Sequence, residues 1–489
     1  MPRLWVGLGV LAVLLTAGLH PAHAETIRLG DEVIPTSQAI ELRLDAGQAE
    51  YSGSTRIELT VTKKTDRFYF HNEGPALKTL SFTGPNGPVQ LATEQADPMT
   101  VLATASETFD KGDYVLEIEF TNDFDTQAVS LYRMDKDGEG YSFTQFQADD
   151  ARGAFPCFDE PQFKIPFQLT LTVPMRHLAV SNTPPESYTS EQGWKTIRFQ
   201  KTKPLPSYLV ALATGPFEVT PLHGLGVPVA IYTVRGQRHL TGASLEATPP
   251  VLKALEAYFG SPYPFEKCDF IAVPEYWAGA MENPGLITYR DNVLLLAPEN
   301  ATTSEKRRMT RIIAHELAHM WFGDLVTMTW WDDLWLNESF ADWMGDKITH
   351  QVFPKFDQDI ATTADAQGVM GSDALLTSEP IRKPVTDPEN LMEGVGLAYN
   401  KGKAVLAMFE HHMGEEPFRQ AVQAYMQEHA WGNTVAKDLW DALDKAGQGK
   451  VSDGLATFIE QPGLPLLTVE ADEKGKVKFT QTRFTNFGV

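Results

Sequence analysis

The chain has 489 residues, enough for two or three domains that each bury a core, and its 43% apolar and 21% charged content excludes a disordered or fibrous protein. A formal net charge of −23 makes nucleic acid and anionic lipid poor partners; the acidity fits ordinary solubility or a cleft that attracts cationic groups, and net charge alone does not choose between them. The two cysteines, Cys157 and Cys268, are too few for a disulfide-stapled fold or a thiolate metal cluster, and the sequence leaves them either paired or free.

Residues 1–24 have the pattern of a signal peptide: Arg3, an apolar run from Leu4 to Leu19, and the small-residue cleavage site Ala22-His23-Ala24. The run is too short to be a comfortable membrane span. The expectation is a mature chain beginning at Glu25, exported to a bacterial periplasm or the medium, with no stable membrane insertion after cleavage.

From 25 to 236 the pattern is β. Ile57, Leu59 and Val61 alternate with Arg56, Glu58 and Thr60; Leu116, Ile118 and Phe120 alternate with Glu117 and Glu119; Phe167, Leu169, Leu171 and Val173 repeat the period. Pro85-Asn86-Gly87 and Asp137-Gly138 supply turns. The run Asp135-x-Asp137-x-Glu139 faintly resembles a calcium loop, but its ligands do not continue, and a hairpin is the expectation.

From 237 to about 462 the period becomes helical. Thr302 and Glu305 form a capping box ahead of a helix bearing Ile312, Ile313 and Leu317, which Gly323 is placed to end. A second helix is expected from about Asn337, with Phe340, Trp343, Met344 and Ile348 on one stripe, and further helix from Gly402 to about Phe458. His411-His412 are adjacent residues on different helix faces and make no metal site. After Pro462, residues 463–489 return to a strand pattern in Leu466, Leu467, Val469, Val477 and Phe479.

The chemistry concentrates in His315-Glu316-Leu317-Ala318-His319. Helix positions four apart share a face, so both imidazoles can hold one ion with Glu316 beside it as general base. Zinc needs a third protein ligand and an open position. Glu338, eighteen residues beyond His319, is far enough on to return along a second helix. His315, His319 and Glu338 form the ligand set of a hydrolytic zinc site, with one zinc per chain.

Together with Gly279-Ala280-Met281-Glu282-Asn283, Tyr399-Asn400-Lys401-Gly402 and the stretch from Thr144-Gln145-Phe146 to Phe155-Pro156-Cys157-Phe158-Asp159-Glu160-Pro161, the motif resembles the gluzincin zinc aminopeptidases of the aminopeptidase N type. The leukotriene hydrolase branch is a relative. The resemblance implies a multidomain α+β chain: an N-terminal saddle-like antiparallel β domain, a thermolysin-like, mainly helical zinc catalytic domain, and the opening strands of an incomplete β-sandwich. It implies Tyr399 as the donor that stabilises an oxyanion and Glu282 as the carboxylate that pairs with a substrate ammonium. Gly279, Ala280, Met281 and Asn283 then lie along the substrate, and Gln145 and Gln147 enter the cleft from the β domain. Many relatives have a second carboxylate where this chain has Gln147, so ammonium recognition rests mainly on Glu282. The implied substrates are peptides with a free amino terminus. The family also continues into a C-terminal helical roof that these 489 residues do not include, as expected of a fragment or a shortened natural form. Rival readings are an endopeptidase with an open cleft, an epoxide hydrolase of the leukotriene type, and a metal-free binding scaffold.

Overall fold

Alternation builds the N-terminal half of the computed structural model, which describes residues 27–386, 395–447, 450–471 and 475–486. The expected signal peptide and its cleavage site lie outside the described residues. In the strand Glu50–Val61 the side chains of Ile57, Leu59 and Val61 are buried while Arg56 and Glu58 face solvent. Gly112–Asp123 and Phe167–Pro174 bury one face in the same way. These strands lie in an eight-stranded sheet, in which Val33–Arg43 joins the antiparallel neighbour Glu50–Val61 to Phe167–Pro174. The pairing with Phe167–Pro174 is parallel, a departure from an all-antiparallel domain. Parallel neighbours need a long crossover, and residues 44–166 supply it. Smaller sheets of three and four strands lie beside it. Asp137 and Gly138, at φ +55° and +79°, close the hairpin between Ser130–Lys136 and Glu139–Gln145, so the acidic run there is a turn.

A five-stranded sheet connects the halves. Its order is Glu218–Leu222, Val229–Thr233, Asp269–Val273, Leu286–Arg290 and, at the edge, Ala280–Met281. Strand pairing therefore runs across the division drawn from sequence at 236/237, because alternation marks a strand without naming its partner.

The helices among the described residues are α1 (Gly242–Phe259), α2 (Asp291–Leu294), α3 (Thr303–His319), α4 (Trp335–Val352), α5 (Gln358–Asp373), α6 (Gly396–Met413), α7 (Glu415–Glu428), α8 (Ala436–Ala446) and α9 (Val451–Ile459). Thr302 caps α3 through Glu305, as the capping box predicts. α3 ends at His319, and Gly323 follows at φ +128° in the turn beyond it. α4 begins two residues before Asn337 and buries Phe340, Trp343, Met344 and Ile348. α6 meets α4 at Gly402, where an added Cβ would stand 1.9 Å from Ser339 Oγ. Leu464–Ala471 and Val477–Phe484 form an antiparallel hairpin whose side chains are almost all exposed. No helix among the described residues is long and apolar enough to cross a membrane.

One core runs through both halves, from Ile40 and Leu42 through Phe270, Ile313 and Phe340 to Leu455 and Ile459. A second, around Ile57, Phe68, Phe82 and Leu116, lies within the β half. Both cysteines are buried and free.

Candidate metal centre

His315 and His319 occupy successive turns of α3 and face the first turn of α4, where Glu338 stands. Their Nε2 atoms lie 3.0 Å apart. Glu338 Oε2 lies 3.5 Å from His315 Nε2 and 3.4 Å from His319 Nε2. A tetrahedral zinc with ligands at about 2.0–2.1 Å separates any two donor atoms by roughly 3.3 Å. The three side chains thus already have the mutual spacing of a zinc ligand set, and all three are buried.

The polar atoms converging on this point fit a cation. Glu316 Oε2 and Glu282 Oε1 are buried without a hydrogen-bond partner among the described residues, and buried carboxylate oxygens without a partner are costly. Glu282, Glu316 and His319 form a second overlapping group of possible ligands. Burial pulls the His315 imidazole down, yet the Asp342 and Glu338 carboxylates outweigh it and hold its pKa at about 9. Burial works against the Glu338 carboxylate, but His319 and His315 draw its pKa down to about 2. Burial pushes Glu316 up to about 8 and also raises Glu282.

Two contacts that the sequence did not single out orient the ligands. His319 Nδ1 lies 2.9 Å from the carbonyl oxygen of Phe322, and His315 Nδ1 lies 3.0 Å from Asp342 Oδ1. The first, a hydrogen bond, fixes the His319 ring with Nε2 toward the shared point, and the second sets a carboxylate against the far side of the His315 ring. Asp342 lies four residues after Glu338 on α4, so helical spacing on the ligand's own face was the signal that could have found it. Asp342 also pairs with Arg311 at 2.7 Å.

The remaining candidate residues fall around the same point. Tyr399, in the first turn of α6, stacks near His315 with ring centroids 5.9 Å apart. Burial, then the Glu338 and Glu282 carboxylates, push its hydroxyl well above the phenol range. Glu282 directly follows the edge strand Ala280–Met281. Gln145 ends a strand of the β half and donates from Nε2 to Met281 Sδ at 3.7 Å, while its Oε1 accepts from the Tyr276 hydroxyl. Gln147 is joined to it through its own backbone oxygen, which accepts from Gln145 Nε2 at 3.4 Å. Asn283 turns inward, its Nδ2 donating to Thr288 Oγ1 at 3.2 Å, so it braces the loop. Gly279 has open space where a Cβ would stand. Tyr276 is the neighbour that sequence reasoning missed, and it has no spacing signal of its own.

Comparison with known proteins agrees with this arrangement. Residues 34–209 match the Peptidase M1 N-terminal domain and residues 243–460 the Peptidase family M1 domain. The chain is 34% identical over 475 residues to "Glutamyl aminopeptidase" of Bos taurus, covering 94% of this chain and 49% of that protein. It is 33% identical over 451 residues to "Aminopeptidase M1-B" of Oryza sativa subsp. japonica, covering 90% and 51%. It is 34% identical over 456 residues to "Probable aminopeptidase 1" of Saccharolobus solfataricus, covering 92% and 56%. The chain spans about half the length of these relatives. With the two domain matches following one another in order and together covering most of the chain, the chain belongs to peptidase family M1.

Proposed function

We propose that this chain is a zinc-dependent aminopeptidase that removes residues from the amino terminus of peptides. The observation that supports it most is the convergence of His315, His319 and Glu338, with Glu316 and Glu282 beside them, at the foot of an open edge strand. His315, His319 and Glu338 would hold one zinc, which when bound supplies Lewis acidity and lowers the pKa of water to about 7. Glu316 takes the proton of the attacking water and returns it to the leaving amine, a role suited to a buried carboxylate beside the proposed ligands. Tyr399, whose hydroxyl stays protonated, donates to the oxyanion that develops on the scissile carbonyl. Glu282 pairs with the substrate ammonium, and Gln145 and Gln147 close that end of the cleft as neutral groups.

The pattern of residues 1–24 supports export to a periplasm or the medium. The complete set His315, Glu316, His319, Glu338 and Tyr399 speaks against a metal-free scaffold, which has no need of them. The test pairs elemental analysis with hydrolysis of a peptide and its amino-acetylated twin. About one zinc per chain and cleavage of the free peptide alone support the proposal. Cleavage of the blocked peptide at internal bonds would favour an endopeptidase.

A further inference from the structure

The segment leading into the edge strand has features that neither the metal ligands nor the ammonium site explain. Ala280–Met281 pairs on one side only, with Leu286–Arg290, and ends the five-stranded sheet. Just before it, Arg290 fixes three successive carbonyls: its backbone N–H donates to Gly279 at 2.9 Å, its Nε to Ala278 at 2.9 Å, and its Nη2 to Trp277. All these bonds come from the inner side, and they hold residues 277–279 firm with the outer side free. Exposure alternates there, with Trp277 and Gly279 turned to solvent and Tyr276 buried. Trp277 is 47% exposed, the greatest exposure of any tryptophan among the described large apolar residues. Its indole is not loose, because Nε1 donates to the backbone oxygen of Ala128 in the β half at 3.1 Å. A broad apolar face is thus held rigid in water beside an open strand edge.

We infer that Trp277 is a platform for the side chain of a peptide residue several positions downstream of the cleaved bond, making it a specificity-determining residue for longer peptides. The inference rests on the aminopeptidase reading, in which the substrate ammonium sits at Glu282. A peptide lying antiparallel on the free edge of Ala280–Met281 then runs toward lower residue numbers, past Gly279 to Trp277. Strands advance about 3.3 Å per residue, so the five-residue span from Glu282 to Trp277 sets the indole beside roughly the fifth residue of the substrate. Gly279, with nothing within 4 Å of a would-be Cβ, leaves room for the backbone between. An indole face stacks on aromatic and aliphatic side chains alike, so the platform selects apolar residues as a class.

The test uses the full chain loaded with zinc and pentapeptides sharing one first residue, with Phe scanned through positions three, four and five against Gly. The readout is the kcat/KM ratio of the Phe peptide to the Gly peptide, a ratio internal to each variant. The wild-type chain is expected to favour Phe at one of these positions by about tenfold, and Trp277→Ala to bring the ratio to within about twofold of unity. A wild-type ratio near one at all three positions, or a ratio that survives Trp277→Ala, overturns the inference. Should Trp277→Ala fail to fold, Trp277→Gln decides, since its side-chain amide can still donate to the Ala128 oxygen but offers no apolar face. Lost preference supports the platform, and retained preference overturns it. Wild-type turnover of a simple aminoacyl anilide, which ends before Trp277, reports on the aminopeptidase reading separately.

Discussion

Glu316 sits beside His315, a proposed metal ligand, inside the protein, with one carboxylate oxygen lacking a hydrogen-bond partner among the described residues. Glu316→Gln keeps the shape and removes the base. Metal content should stay near one per chain while kcat falls at least about a hundredfold, as elemental analysis and initial rates will show. Tyr399→Phe removes a single hydroxyl that matters only as charge develops. A kcat lowered about a hundredfold with KM little changed is the expected result, and a raised KM with kcat intact would reassign Tyr399 to substrate binding. Asp342→Asn leaves His315 Nδ1 beside a neutral amide and Arg311 short of a counter-charge. Chelator competition should then report a metal affinity weaker by about 10–100-fold. The candidate ligands were named from the sequence because helical spacing and ligand chemistry coincide there, and the structure brings their side chains together. Asp342 was passed over because a lone Asp on a helix is ordinarily a solvated charge, and Tyr276 because nothing in its spacing distinguishes a buried Tyr from core.

At the scale of elements, α3, α4 and α6 set the site, and each has a local device. The Thr302–Glu305 box starts α3, and Thr302→Ala should lower stability by about 1 kcal/mol in a denaturant melt. Gly323 lets the chain turn back beneath the site: a Cβ there would lie 3.2 Å from His319 Nδ1, and its φ of +128° disfavours any side chain. Gly402 is where α6 touches α4. An Ala at 402 would bring a methyl within 2.6 Å of Ser339 Cβ and force the helices apart, moving Tyr399 one turn away. Gly402→Ala should therefore destabilise by about 1–3 kcal/mol and lower kcat as well, and Ser339→Gly in the same chain should recover part of both. α3, α4 and the strands around Ile57, Leu116 and Phe167 could be read from caps and periods, which are local. Partners could not: the parallel pairing of Val33–Arg43 with Phe167–Pro174, and the sheet that crosses 236/237, depend on contacts between residues far apart in sequence.

Across the whole molecule the halves are clasped by buried polar contacts as well as by sheet. Lys164, from the β half, donates through Nζ to the backbone oxygens of Asp324 at 2.9 Å, Leu325 at 3.0 Å and Gly432 at 3.3 Å. Burial draws the Lys164 ammonium down to about 7, and the three carbonyls are what accept its protons. Lys164→Met fits the space but takes the Nζ donor from the Asp324 oxygen, while the Leu325 and Gly432 oxygens still accept from the backbone N–H of Trp431 and Thr327, so a loss of about 1–3 kcal/mol in a thermal or denaturant melt is expected. Asn433 makes a parallel tie, donating from Nδ2 to the backbone oxygen of Pro161 at 2.8 Å.

The continuous core from Ile40 to Ile459 would make binding of an ion at the proposed site a property of the entire fold. A ligand that binds only the native state at about a thousand times its Kd adds about 4 kcal/mol to stability, and a shared core passes that increment on to segments that never touch the ion. Strands of the β half such as Phe167–Pro174 should then melt together with α3 and α4. Amide exchange in those distant strands would quicken when chelator strips the ion, a thermodynamic linkage between the catalytic ion and a sheet that holds none of its ligands.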